Sequence, residues 1–294
     1  MCLPSLLVLF QCRIGEHLVY DRRARRRSWV SARAGQEVRE KVVEMKPRRV
    51  TVVVKDASES ATLSVVDSLI ALAEAITECR RCERLVEWRE KIAEEKRAAY
   101  AEDEYWGRGV PGFGDPEAKV VIVGLAPAAH GANRTGRVFT GDRSGDFLFA
   151  SLHRTGFANQ PLARHVDDGL ALHDAYVTAA VRCAPPANKP TPEERDNCRP
   201  YIEKELALLT ESKVFVALGQ FGYQVASSIL GIRPRPKFGH GLVVPIEQQS
   251  DAIGRHVVCS FHPSQQNTFT GRLTEPMLDQ VFITARELAG MDPI

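Results

Sequence analysis

Four cysteines carry the first chemical signal. Cys79 and Cys82 form a C-x-x-C pair, and Cys183 and Cys198 lie far downstream in proline-rich surroundings. Thiolates in this layout point to a metal or iron–sulfur site in a reducing compartment, since soft sulfur ligands suit zinc and iron alike. Seven cysteines in 294 residues are too few for a disulfide scaffold. Of the remaining three, Cys259 sits in the apolar run HVVCSF and reads as a small buried thiol.

A second set of residues follows the apolar runs. After KVVIVG come Leu125-Ala126-Pro127 and, further on, V-F-T-G-D-R-S-G from Val138 to Gly145. Small residues such as Gly124 and Ala126 let a backbone approach a ligand closely. Phe139 offers a flat face on which a base can stack. Asp142 is a lone carboxylate that could act on a substrate, cap the next helix, or do both. After AYVTAAVRC, prolines fix a loop in which Asn188 can read a base edge or hold a water, or simply make a turn. After HVVCSF comes His262-Pro263-Ser264, where an imidazole can donate a hydrogen bond to developing negative charge. Ser264, Asn267, Thr268, Thr270, Arg272 and Thr274 nearby supply donors suited to phosphate oxygens.

Those residues need a scaffold, and its pattern is visible. From Lys119 onward, apolar runs alternate with helical segments: KVVIVGLAP, AYVTAAVRC, KVFVALG and HVVCSFHPS read as four strands. The alternation predicts an α/β fold, a three-layer αβα sandwich with a central, mainly parallel four-stranded sheet. In such sheets the ligand crevice lies at the carboxyl ends of the strands, so the segments after the first, second and fourth become the candidate site. Thr191-Pro192-Glu193-Glu194 predicts a helix start. Upstream, Leu63 to Thr77 predicts a helix with Val66, Leu69, Ile70, Ala73 and Ile76 on one face. A charged helix is expected from Leu85 to about Tyr105, packing through Leu85, Trp88 and Ile92, with its Glu/Lys remainder solvated.

Residues 1–60 differ from the rest. They carry five arginines between Arg22 and Arg27 and little apolar periodicity. They are read as a disordered basic arm, or as upstream sequence with a later start at Met45, or as an arm touching phosphate backbone. Residues 61–294 form the folded domain. A net charge of +2 leaves any DNA-binding surface to local clustering of Arg and Lys. No apolar stretch is long enough for a membrane span, and Met1 to Phe10 lacks the basic start and cleavage site of a signal peptide. The expectation is a cytoplasmic monomer.

Taken in order, G-L-A-P-A-A-H-G, V-F-T-G-D-R-S-G and H-P-S resemble the motifs of the uracil-DNA glycosylase superfamily, most closely its iron–sulfur family 5 branch, type b. The resemblance covers Leu63 to Ala289. It implies removal of uracil and other deaminated bases such as hypoxanthine from DNA. It also implies a [4Fe–4S] cluster on Cys79, Cys82, Cys183 and Cys198. By the same resemblance Phe139 stacks on the flipped base, His262 faces the leaving base, and Asp142 and Asn188 take part in catalysis. Two departures fit the type-b branch: Leu125 and Ala126 stand where many members carry a polar residue for the attacking water, and Ala179 where the uracil-selective branch has Asn. The rivals are a zinc- or cluster-bearing, non-catalytic DNA-binding module and a nucleotide hydrolase; the latter lacks the G-x-x-x-x-G-K-[ST] phosphate cradle.

Overall fold

A computed structural model describes residues 9–11, 16–21, 26–31, 64–246 and 254–293. Two compact units divide the chain, Met1–Ala61 and Thr62–Ile294. In the first, β1 (Leu9–Gln11), β2 (Glu16–Asp21) and β3 (Arg26–Ser31) pair as an antiparallel meander. Three strands therefore stand in the stretch read as an irregular arm; segments such as HLVY and SWV supply β-branched and aromatic residues. Arg22, Arg23, Arg25 and Met45 lie outside the described residues.

The second unit is built on a six-stranded sheet in the order β4-β6-β5-β7-β9-β8. Its centre is the expected parallel set: β5 (Val120–Gly124), β6 (Ala175–Ala179), β7 (Val214–Leu218) and β9 (Arg255–Ser260). The count of four is corrected to six by two antiparallel edge strands, β4 (Phe113–Gly114) and β8 (Val243–Ile246). Both are too short to carry a periodicity of their own. Strands β5, β6 and β7 are buried along their whole length, as their uninterrupted apolar runs require.

Helices cover both faces and complete the three layers. On one face α4 (Arg143–Arg154) and α8 (Glu275–Leu288) bury Leu148, Phe149, Leu152, Leu278 and Phe282 against Val120, Ile122 and Val177. On the other, α5 (Pro192–Leu208) and α6 (Gly219–Ile229) bury Ile202, Tyr223 and Ala226 against Val121, Phe215 and Val257. Helix α5 starts as its sequence demands: Thr191 Oγ1 accepts from Glu194 N at 3.2 Å, and Glu194 accepts from Thr191 N at 2.7 Å, a reciprocal capping box.

The upstream helices differ from expectation in two details. Helix α1 (Val65–Thr77) buries Leu72 and Ile76 and leaves Val66 and Ile70 exposed, so the buried face lies about a quarter-turn from the predicted one. Helix α2 (Glu83–Glu95) ends ten residues early, because Lys96 adopts a left-handed conformation (φ 53°) and a 3-10 turn follows at Ala98–Tyr100. A short α3 (Ala132–Thr135) and α7 (Gln265–Phe269) lie in the loops after β5 and β9. Among the described residues no helix is long and apolar enough to cross a membrane.

Candidate active site

At the carboxyl ends of β5, β6, β7 and β9 the loops enclose a cavity of about 520 Å³. Eight of the ten residues expected to act on a base or on DNA line it: Ala126, Phe139, Asp142, Asn188, His262, Ser264, Asn267 and Arg272. The other two lie just beneath, on adjacent strands: Gly124 and Ala179 are register partners at the ends of β5 and β6. Gly124 acts through space, since a Cβ there would come within 2.7 Å of the Phe139 ring. Ala179 is 2% exposed within the main core and does not itself line the cavity.

Phe139 is held where its sequence would not place it unaided. Its φ is 52°, a costly conformation for a bulky residue and one that clusters at functional sites. Gly145, in the first turn of α4, makes this possible: a Cβ there would stand 1.8 Å from the Phe139 carbonyl oxygen. The ring packs at 5.9 Å from His262, tilted by 35°.

Asp142 is both cap and cavity wall. Its Oδ1 accepts from Gly145 N at 3.0 Å as the N-cap of α4. Gly131 leaves room for Oδ2, which a Cβ would approach to 2.0 Å. Desolvation pushes the carboxyl above its usual range, more than the Gly145 and Ser144 N–H groups lower it. His262 follows β9, and burial brings its imidazole down to about 4, so it is neutral at pH 7 with one N–H to donate. Asn267 Nδ2 donates to the His262 carbonyl at 2.9 Å and thereby fixes the loop. Asn188 ends a 3-10 turn (Pro186–Asn188) with φ 56° and is exposed at the cavity mouth. The Arg272 guanidinium lies 4.6 Å over the Phe261 ring. Thr268 and Thr270 turn their hydroxyls back to the carbonyls of Ser264 and Gln266.

The cysteines meet beside this cavity. Cys183 and Cys198 are buried with Leu85 and Val181, Cys82 and Ala126 pack against the same cluster, and Cys79 packs near Ile76 and Tyr201. Arg89, 2% exposed, spans two of them: Nη1 donates to Cys183 Sγ at 2.9 Å and Nη2 to the Cys79 carbonyl at 3.0 Å. Asn197 Nδ2 lies 3.6 Å from Cys82 Sγ. Burial pushes Cys198 up to about 12 although the Arg182 N–H donates to it. Below them Arg182 and Glu205, both 1% exposed, pair at 2.6 Å, and Glu205 also accepts from Tyr176, Thr178 and Gly112. This network ties α5 to the end of β6. Cys259 is buried in β9, as expected, and Cys2 and Cys12 lie outside the described residues.

Two functional features escape a reading of the sequence. Arg89 sits on the helix face assigned to solvent, although its position four residues after Leu85 puts it on the buried side. Gln220 and Phe221 line the cavity after β7. The carboxyl-end rule, applied to the third strand as to the others, points directly at them.

Residues 111–286 match the family model described as the uracil DNA glycosylase superfamily. The "Type-5 uracil-DNA glycosylase" of Thermus thermophilus is 50% identical over 222 residues, 75% of this chain and 98% of that protein. Its namesake from Mycobacterium bovis is 50% identical over 228 residues, 76% of this chain and 83% of the relative. A "Type-4 uracil-DNA glycosylase" of Archaeoglobus fulgidus is more distant, 29% identical over 160 residues. The chain belongs to the uracil-DNA glycosylase superfamily and, within it, to the type-5 branch.

Proposed function

We propose that the protein excises uracil, and with it hypoxanthine, from DNA by hydrolysing the N-glycosidic bond. The observation that carries this reading is the convergence of Phe139, Asp142, Asn188 and His262 on one cavity at the carboxyl ends of the sheet. A base inside a duplex is out of reach, so the nucleotide flips into the cavity and its base stacks on Phe139. The C1′–N bond breaks with its electrons leaving on the base, and a water oxygen bonds to C1′. The neutral His262 N–H donates to the base oxygen where that charge builds, a contribution of ~2.7–4 kcal/mol for a preorganised donor. Asp142, ionised, favours the positive sugar and takes the water's proton; Asn188 orients that water. Leu125 and Ala126 carry no group able to do so. With Ala179 at the end of β6, no amide reaches up from this strand to read a base edge, which is the basis for accepting hypoxanthine beside uracil.

Cys79, Cys82, Cys183 and Cys198 would hold a [4Fe–4S] cluster. An all-sulfur donor set with a guanidinium donating to one sulfur fits an anionic cluster. Among the described residues no three His, Cys, Asp or Glu side chains converge as ligands of a single ion do. When bound, the cluster would supply folding energy by tying the Cys79–Cys82 segment to the loop after β6. A zinc-bound, non-catalytic DNA-binding module would have no use for a cavity that holds a base. The arginines of the first 60 residues would at most add salt-dependent affinity for phosphate backbone, and the protein works as a monomer in the reducing cytoplasm. Incubation with oligonucleotides carrying uracil or hypoxanthine, followed by alkali and strand-length analysis, tests the reading; uncleaved strands for both lesions would refute it.

A further inference from the structure

The cavity is longer than one base requires. It crosses the ends of four neighbouring strands, from Asn188 after β6 to His262 and Arg272 after β9. Three strand intervals span roughly 14 Å at ordinary spacing. His262 reaches back from the end of β9 toward the β5 and β7 loops. The Phe139 ring lies 5.9 Å from it, and Gly219 abuts it, since a Cβ there would stand 3.1 Å from His262 Cβ. Phe139, Asp142 and Asn188 belong to the β5–β6 end. At the β7–β9 end the wall changes character: it is Gln220, Phe221, Phe238, Phe261 and Arg272.

That end is a built aromatic surface. His240 stacks on Phe261 at 5.0 Å, and Phe238 packs against Phe261 at 6.2 Å and against Tyr223 at 5.9 Å. These contacts fix the rings in place. Phe221 differs: it is 51% exposed, and no ring stacks on it among the described residues. Gln220 beside it carries both a donor and an acceptor, and Arg272 brings a cation to the rim.

We propose that this far lobe is a second nucleobase subsite, which takes the unstacked base adjacent to the lesion on the same strand. The inference rests on the base-excision reading of the near lobe. Flipping one nucleotide deprives its neighbour of a stacking partner, and an exposed aromatic ring replaces it without regard to sequence, because every base has a π-face. Gln220 meets the edge of that base, and Arg272 meets the phosphate that links it to the flipped nucleotide. The partner strand's orphaned base has the same chemistry, but the lobe continues the cavity that holds the lesion strand.

The test is single-turnover excision from a single-stranded uracil oligonucleotide, reading the enzyme concentration at half-saturation. Wild type and Phe221→Ala are each compared with an intact neighbour or with a tetrahydrofuran spacer in place of the 5′ or 3′ neighbouring base. At one of the two positions the spacer should raise the wild-type half-saturation by about tenfold, within the range of base–aromatic stacking. Phe221→Ala should show the same loss on the intact strand and no further loss with the spacer, and Phe221→Trp should restore affinity. Because Phe221 is exposed, its truncation does not threaten the core; a circular dichroism spectrum checks this. Additive losses, or a variant that saturates like wild type, would overturn the subsite while leaving excision standing. A duplex carrying the spacer opposite uracil provides the other arm: a loss there, with none from the same-strand spacer, would overturn the assigned occupant. Absence of uracil excision by wild type on every strand would overturn the functional reading and the subsite together.

Discussion

Asp142→Asn separates the helix cap that this carboxylate forms from the catalytic role proposed for it. As N-cap, Asp142 accepts from Gly145 N at 3.0 Å, and Asn is as good a cap as Asp. Replacement by Asn should therefore leave the stability of α4 unchanged, whereas Asp142→Ala should cost about 1 kcal/mol, ~2–4 °C in a domain of this size. The charge behaves differently. Burial raises the Asp142 carboxyl, so the folded state binds a proton more readily than the unfolded chain does. Wild-type stability then falls as pH rises from the ordinary carboxylate value through the raised one, and Asp142→Asn should abolish that decline. At neutral pH the variant should be as stable as wild type or more so. Excision should nevertheless fall by ~10²-fold or more, the usual loss when a positioned base is removed. The wild-type rate should drop on the acid side at a pH above the ordinary carboxylate range. Single-turnover rates and thermal melts across pH measure both duties. An Asn variant that cuts within threefold of wild type would show that the carboxylate is only a cap.

Other substitutions probe the supporting structure. Arg89→Met removes two donors from a buried site and should destabilise the holoprotein by ~1–3 kcal/mol and hasten loss of iron, followed by chemical denaturation and by absorbance; an unchanged midpoint would mean that Arg89 does not hold the cysteine cluster. Gly145→Ala sets a methyl group against the Phe139 carbonyl oxygen and should cost ~1–3 kcal/mol in melts while displacing the stacking ring and slowing excision. Ala179→Asn extends an amide from beneath the cavity and should shift the ratio of single-turnover rates toward uracil over hypoxanthine by ~1–3 kcal/mol. A loss of stability with no change in that ratio would confine position 179 to the core.

The sheet was legible because its central strands are apolar runs closed by Gly or Pro, and a parallel strand buried on both faces can have no other pattern. Edge strands Phe113–Gly114 and Val243–Ile246 were not, since two and four residues are too few to carry a pattern, and the first depends on a partner distant in sequence. The cavity residues were legible for a related reason: strand ends in such a sheet point into one crevice. Resemblance added the roles of Phe139, Asp142 and His262, which spacing alone leaves open. What the sequence hid are tertiary overrides. Arg89 looks like one more charge on a charged helix until the cysteines close around it. Phe139 looks like an ordinary turn residue until Gly124 and Gly145 are seen to hold it at positive φ. The uncharged state of His262 follows from burial, which no local motif encodes.

The most direct measurement is single-turnover excision of uracil by wild type and by His262→Ala, read as alkali-sensitive strand breaks. Burial brings the His262 imidazole down to about 4, so the proposed role is that of a hydrogen-bond donor rather than a general acid. The expected result is therefore rapid cleavage by wild type, and a rate lower by ~10²-fold or more in the variant with DNA affinity nearly intact. Cleavage by His262→Ala at the wild-type rate would contradict the placement of the departing base against His262, and no cleavage by wild type would contradict the excision of uracil.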